Sequence, residues 1–399
     1  MEPSNFSSEF ARYWQLDPEI LFLNHGSFGA CPTPVLDRQQ ELRARMEREP
    51  LVFLDREFEG RLYEAKGALA RFVGADSKDL AFVPNATSGV NAVLRSLRFS
   101  KGDRLLVTDH EYNACRNALD FVAKREGAEV NIVHLPFPLE DPAQAVELIL
   151  EAAAPGTRLA LIDHITSPTA LVLPIEQIVS ELNLRGIDTL VDGAHGPGMV
   201  PLDVAGIGAA YYTGNCHKWL CAPKGAAFLH VRPDRQRETH PVTISHGYNM
   251  PEENRTRFLM EFDWTGTADP TAYLCVPEAI RFMGSLVSGG WPELMARNRS
   301  LVREGIEILR EALDVEPACP DSMIGSMASL PLPDQAVPMV PMAGRVDPLQ
   351  EELFSRYRIE VPVIVWPRPP KRLIRITAQI YNTAKQYEVL AGALRELRR

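Results

Sequence analysis

Two short clusters near the middle of this 399-residue chain hold residue types that do chemistry in pairs. They are Val191-Asp192-Gly193-Ala194-His195 and Thr213-Gly214-Asn215-Cys216-His217-Lys218-Trp219. An apolar run precedes each, so a carboxylate and an amine both fall just past expected strand ends. Taken alone, Asp192 reads as a turn or helix-cap aspartate and Lys218 as a solvated charge. Yet Cys216, Trp219, Leu220 and Cys221 give Lys218 apolar surroundings, and desolvation lowers a lysine's pKa and favours amine chemistry. An anion that keeps a ring nitrogen protonated and an amine that forms an imine are what pyridoxal phosphate (PLP) requires. His195 reads either as a neighbour of that ring or as a satisfied structural histidine.

Other segments offer the remaining groups. Pro84-Asn85-Ala86-Thr87-Ser88-Gly89 follows a strand pattern and opens a helix pattern, which makes an anion site or a plain N-cap. Trp264-Thr265-Gly266-Thr267-Ala268-Asp269 is a second small, hydroxyl-rich turn. In the stretch Asp109 to Ala114, Tyr112 or His110 offers a ring to cover a flat cofactor. Arg372 to Thr377 alternates basic and apolar residues as a half-buried strand does; an arginine there clamps a carboxylate or is an edge-strand surface charge.

Strand ends position these residues, and the strands are legible. Apolar runs at Leu80–Val83, Arg104–Val107, Val130–Val133, Leu159–Ile162, Thr189–Val191, Ala209–Tyr212 and Gly225–Val231 read as buried strands. Helical patterns separate several of them, including Pro142–Ala153 and Ile175–Leu184, so an α/β domain with a mixed, mostly parallel seven-stranded sheet is expected. Residues 35–73 also read as helical. Beyond Pro241 the pattern loosens into a loop, then helices are expected at Thr271–Leu286, Pro292–Leu313, Asp347–Arg356 and Thr383–Arg398 with strands at Ser326–Leu330 and Arg372–Thr377. That portion reads as a smaller α+β domain. The expected division is 1–29 as an N-terminal segment contributing to the site, 30–260 as the large domain and 261–399 as the small one.

Composition narrows the class. The content, 45% hydrophobic and 24% charged, is that of a soluble globular protein. A net charge of −10 argues against nucleic-acid binding, and no apolar run approaches the ~20 residues that cross a bilayer. The N-terminus has no basic then apolar leader, and the six cysteines form no CxxC pair. A cytoplasmic enzyme without a metal is expected.

Together these segments resemble the class V aminotransferase family of fold-type I PLP enzymes, and within it the isopenicillin N epimerase-like branch. The marks are Leu23-Asn24-His25-Gly26-Ser27-Phe28-Gly29, the Asp192 and Lys218 clusters, and Arg375-Ile376-Thr377-Ala378-Gln379-Ile380-Tyr381-Asn382. The resemblance implies that Lys218 forms the internal aldimine and Asp192 pairs with the ring nitrogen. It also implies that Ala86 and Thr87 hold the phosphate with His217 assisting, that Tyr112 stacks on the ring, and that His195 lies near the ring oxygen. Arg375 would bind the substrate α-carboxylate, and Asn24 and His25 would line the substrate mouth. Members are commonly homodimers with interfacial sites, so Thr267 would reach a neighbouring phosphate.

The implied reaction is at the α-carbon of an amino-acid substrate, through an external aldimine and a Cα carbanion. Epimerisation or racemisation is the first reading; it needs a second acid, for which Tyr112, His25 and His110 are candidates. A C–S lyase acting on a cysteine conjugate or sulfoxide is the alternative. Aminotransferase and cysteine desulfurase rank lower, because Cys319 sits between prolines rather than on a mobile small-residue loop. A catalytically inactive PLP-fold binding protein is the non-enzyme alternative. The substrate pocket is expected to draw on loops 245–257 and 338–345.

Overall fold

Runs of apolar residues from Leu80 to Val231 form one sheet because each is long enough for a strand and too short for a helix. In chain order the strands are β1 (Leu21–Phe22), β2 (Leu80–Val83), β3 (Arg104–Thr108), β4 (Glu129–Val133), β5 (Thr157–Asp163), β6 (Asp188–Asp192), β7 (Tyr211–Asn215), β8 (Ala227–Val231), β9 (Met327–Leu332), β10 (Ile359–Glu360), β11 (Val363–Val365) and β12 (Arg372–Thr377). The computed structural model describes residues 6–252, 255–334 and 346–397. Loop 338–345 and residue Arg398, expected to form pocket and helix, lie outside the described residues.

The large sheet has seven strands in the order β2-β8-β7-β6-β5-β3-β4. Only β8 runs against the rest, pairing antiparallel with both β2 and β7. Asp163 and Asp192 are in register at the carboxyl ends of β5 and β6, and Asp192 pairs with Thr213 in the middle of β7. That edge is where doubly wound sheets bind ligands. β7 runs from Tyr211 to Asn215 rather than over 209–212. Its pairing with β8 continues past the apolar run, through Gly214 opposite Phe228 and Asn215 opposite Ala227.

A second, antiparallel sheet has the order β11-β12-β9. β12 is its central strand and all six of its residues are buried, so the half-buried or edge-strand reading of 372–377 is corrected. The N-terminal segment joins this region through the parallel pair β1–β10.

Packing divides the chain near the helix Gly290–Leu313. Cys275, Val276, Ala279, Phe282 and Leu294 share one core with Val35, Leu62 and Leu69, whereas Val302, Ile306 and Leu309 pack with Leu21, Leu23, Ile374 and Ile376. The expected helix over 271–286 is two helices, Thr271–Leu274 and Val276–Ser285, with Pro277 in the first turn of the second. The loop expected after Pro241 contains a helix, Arg257–Asp263, capped by Thr256 and burying Phe258, Leu259 and Phe262. Among the described residues no helix is long and apolar enough to cross a membrane.

Candidate active site

Asp192 ends β6 and is 2% exposed. Its Oδ1 accepts from the Ala194 N–H at 2.9 Å and its Oδ2 from the Cys115 thiol at 3.1 Å. Among the described residues no cation sits within ion-pair distance of it. Buried carboxylates normally have such a partner.

Lys218 lies three residues beyond β7. Its Nζ is 3.1 Å from His195 Nε2, and the Trp219 indole N–H donates to His195 Nδ1 at 3.1 Å. Burial lowers the Lys218 amine to about 8, helped by the nearby Arg375 charge and opposed by Asp192. His195 is pushed well below its ordinary value, first by burial and then by Lys218. The amine is thus desolvated and within reach of its free base near neutral pH.

Two further carboxyls, Glu111 and Asp163, are buried beside Asp192, and sequence reasoning did not single them out. Both oxygens of Glu111 and Oδ2 of Asp163 meet no donor. Burial pushes both well above the usual carboxylate range, with Asp192 adding to it in each case and Asp163 adding to it for Glu111. Three carboxyls buried this close cannot all be ionised, so Glu111 and Asp163 are held protonated in part. Their signal was positional: Asp163 ends an apolar strand, as Asp192 does. Glu111, Cys115 and Asp192 also bring ligand atoms within 4.8 Å of one another. Burial holds the Cys115 thiol protonated, however, and it donates to Asp192 rather than offering a thiolate.

The helix Ala86–Ser96 begins where the sequence predicts. Asn85 caps it by accepting from the Ser88 N–H at 2.8 Å, and the Ala86 N–H donates to Asn215 Oδ1 at 2.8 Å. Thr87 stands between them in the first turn. Thr87 and Ser88 wall a cavity of about 420 Å³ with Thr265, Gly266 and Ala268; Thr267 instead lines an adjoining cavity of about 830 Å³. His217 donates from Nδ1 to the Ala226 carbonyl at 3.0 Å, and burial lowers it to about 4. A hydrogen bond from its Nε2 to an anion therefore needs the protonated ring.

Arg375, on β12, is 4% exposed. Its Nη2 donates to Ser27 Oγ at 3.0 Å and its Nη1 to the Ser167 carbonyl, while Nε has no acceptor. Burial lowers it to about 10, with the nearby Tyr112 phenol opposing. Among the described residues no carboxylate pairs with it, whereas Arg372 on the same strand pairs with Asp347 at 3.0 Å. Asn24 supports the arrangement from behind. It accepts from Ser27 Oγ at 2.6 Å and donates to Glu360 at 3.1 Å.

His25 is fully buried, with Nε2 3.0 Å from the Lys218 carbonyl oxygen and Nδ1 2.8 Å from Tyr381 OH. Gly29 (φ +71°) brings the N-terminal turn onto this loop, and a Cβ there would lie 2.1 Å from the His217 carbonyl. His110 is buried between Thr169 and the Leu135 carbonyl, edge-on to Trp366 at 4.4 Å. Tyr112, 47% exposed at the start of the helix Asn113–Glu126, is left to present a ring.

The family described as "Aminotransferase class-V" matches residues 30–324. The chain belongs to that family. Class V enzymes use PLP, and this chain is such an enzyme. It is 38% identical over 394 residues to an isopenicillin N epimerase of Amycolatopsis lactamdurans, covering 96% of each chain. It is 28% identical over 426 residues to an L-cysteine desulfhydrase of Arabidopsis thaliana, covering 99% of this chain and 90% of that one. Among solved structures, a cysteine desulfurase of Thermococcus onnurineus superposes with a TM-score of 0.80 at 18% identity, over 100% of this chain and 98% of the other. That last likeness is one of fold.

Proposed function

We propose that this chain is an epimerase-like PLP enzyme that removes the α-proton of an amino acid or amino-acid-derived substrate and returns one on the opposite face. One observation carries the reading: among the described residues a buried cation, Arg375, and a buried anion, Asp192, each lack the ion partner that burial demands, and a desolvated amine feels both.

The donor set fits the cofactor. Asp192 holds a proton on the ring nitrogen, a role that suits a carboxylate without a cation of its own. Ala86 and Thr87 would hold the phosphate at the helix N-terminus, whose positive dipole end favours an anion; His217 would assist once the phosphate charge offsets the burial that lowers it. Tyr112 would cover the ring, and His195 would lie near its oxygen. When bound, PLP would be held by Lys218 and would supply an electron sink for the Cα–H bond that is broken.

The chain's own residues do the rest. Arg375 holds the substrate carboxylate, with Ser27 and Asn24 fixing the guanidinium plane. Lys218 Nζ takes the α-proton on one face. Epimerisation needs a donor on the other. With His25 and His110 locked inside the protein, Tyr112 is the remaining candidate for it. A second copy of the chain is proposed to close the site. Leu51 and Met250, half or more exposed, wall the same cavity as Thr267, which supports a neighbour packing there and Thr267 reaching that neighbour's phosphate.

C–S lysis is the second reading, favoured by the full-length similarity to an L-cysteine desulfhydrase; it needs no second acid. A desulfurase is disfavoured because burial raises Cys319 to about 11, and the other five thiols are raised as well. Incubating an amino-acid panel with the holoenzyme in deuterated water separates the readings. Solvent deuterium at Cα with inverted configuration supports epimerisation. Pyruvate with a released thiol or sulfenate sinks it in favour of lysis.

A further inference from the structure

We propose that Trp219 is a positioning residue that acts through His195 to hold the Lys218 amine as a free base, poised to capture the cofactor. Counting hydrogens leads there. An indole nitrogen can only donate, and Trp219 Nε1 lies 3.1 Å from His195 Nδ1, so that Nδ1 carries a lone pair. The His195 ring is 2% exposed and surrounded by cationic or protonatable groups, Lys218, Arg375, His25 and His217. It is therefore neutral, and its one hydrogen sits on Nε2. Nε2 is 3.1 Å from Lys218 Nζ. An ammonium has no lone pair to accept that hydrogen, whereas a neutral amine has one. All three groups are satisfied when hydrogens run from Trp219 to His195 to Lys218.

The backbone keeps the two turns together. Gly198 (φ +86°) closes the turn that carries His195 directly on Trp219, and a Cβ there would lie 2.6 Å from the Trp219 carbonyl carbon. Trp219 is fully buried, with its ring 5.0 Å from that of His25. The charges facing Lys218 pull both ways: Arg375 from β12 favours the free base, while Asp192, Asp163 and Cys115 favour the ammonium. A hydrogen aimed at Nζ tips that balance toward the amine.

The inference rests on reading Lys218 as the amine that captures PLP, and the test separates the two. Competitive acetylation of the full-length chain freed of cofactor, with peptide mapping across pH, reads the titration of Lys218 directly. Trp219→Phe frees His195 to switch tautomer and His195→Gln offers Lys218 an acceptor. Each is expected to raise the Lys218 midpoint by about one pH unit, or about tenfold less reactive amine at neutral pH. Midpoints that overlay the wild type overturn the inference. Should a variant fail to fold, the ring 15N shifts of His195 in the wild-type chain decide instead. A neutral Nε2–H tautomer is expected, and an Nδ1–H tautomer or an imidazolium overturns it. If Lys218→Ala still forms a borohydride-reducible bond with PLP, the cofactor reading fails while the hydrogen-bond chain stands.

Discussion

His25 Nε2 lies 3.0 Å from the carbonyl oxygen of Lys218, although 193 residues separate them. The N-terminal segment thereby holds the backbone of Lys218, and Tyr381 orients the imidazole from its other side. His25→Phe removes one of the two donors to that carbonyl and leaves it with the Cys221 N–H alone, at 3.0 Å, a loss of about 0.5–1.5 kcal/mol. Urea unfolding should show the destabilisation and the holoenzyme's PLP absorbance a displaced lysine; an unchanged midpoint and spectrum would refute this role.

Burial holds His25 at about 3 and His164 and His230 at about 4. The unfolded chain, with values near 6.5, binds these protons first, so stability must fall as pH drops from about 6.5 toward 4. Each fully buried histidine contributes up to about 1.4 kcal/mol per pH unit in that window. Unfolding free energies at several pH values from neutral down check this; a flat profile is the contrary result.

For Glu111 the sign reverses. Its folded value is raised, so the native chain keeps the proton that the unfolded chain loses, and stability falls as pH rises above about 4.3 toward the folded value. Glu111→Gln mimics the neutral acid and is expected to be more stable than the wild type, with a gap that widens as pH rises. Equal stabilities across neutral and alkaline pH would contradict a protonated Glu111.

Arg375→Ala should weaken amino-acid binding by about tenfold to a hundredfold, the range for a charge-assisted hydrogen bond, while PLP uptake persists. Comparing α-carboxylates with their carboxamides makes the check specific. The variant should lose the preference for the carboxylate, and an undiminished preference would place the carboxylate elsewhere.

Gly89 lets the Ala86–Ser96 helix lie against β7, where a Cβ would meet Thr213 Oγ1 at 2.4 Å. Gly89→Ala should cost about 1–3 kcal/mol and loosen PLP binding by moving the helix N-terminus. Thr213→Ala, which removes the opposing hydroxyl, should restore much of both in the double variant. Additive losses would mean that the contact is not what matters.

The sheet was legible because seven apolar runs of strand length carry its identity in local pattern, and Asp192 and Lys218 were legible because each follows one. β12 misled because alternation of Arg with Ile usually marks a half-wet strand, whereas here Asp347 and the site itself accommodate the two guanidinium groups. The helix Arg257–Asp263 was hidden by the Gly- and Asn-rich stretch before it, though Thr256 and the Phe258–Phe262 spacing were its signal. His25, His110 and Glu111 could not be assigned from sequence, since only the packing of distant segments decides which of them face a ligand.

Lys218 as the PLP-bearing residue is the centre of this account, and borohydride reduction of the purified holoenzyme followed by peptide mapping tests it most directly. The account predicts a yellow protein that bleaches on reduction and carries one phosphopyridoxyl group, on Lys218, with none in Lys218→Ala. A protein that takes up no PLP, or a label on a different lysine, would contradict it.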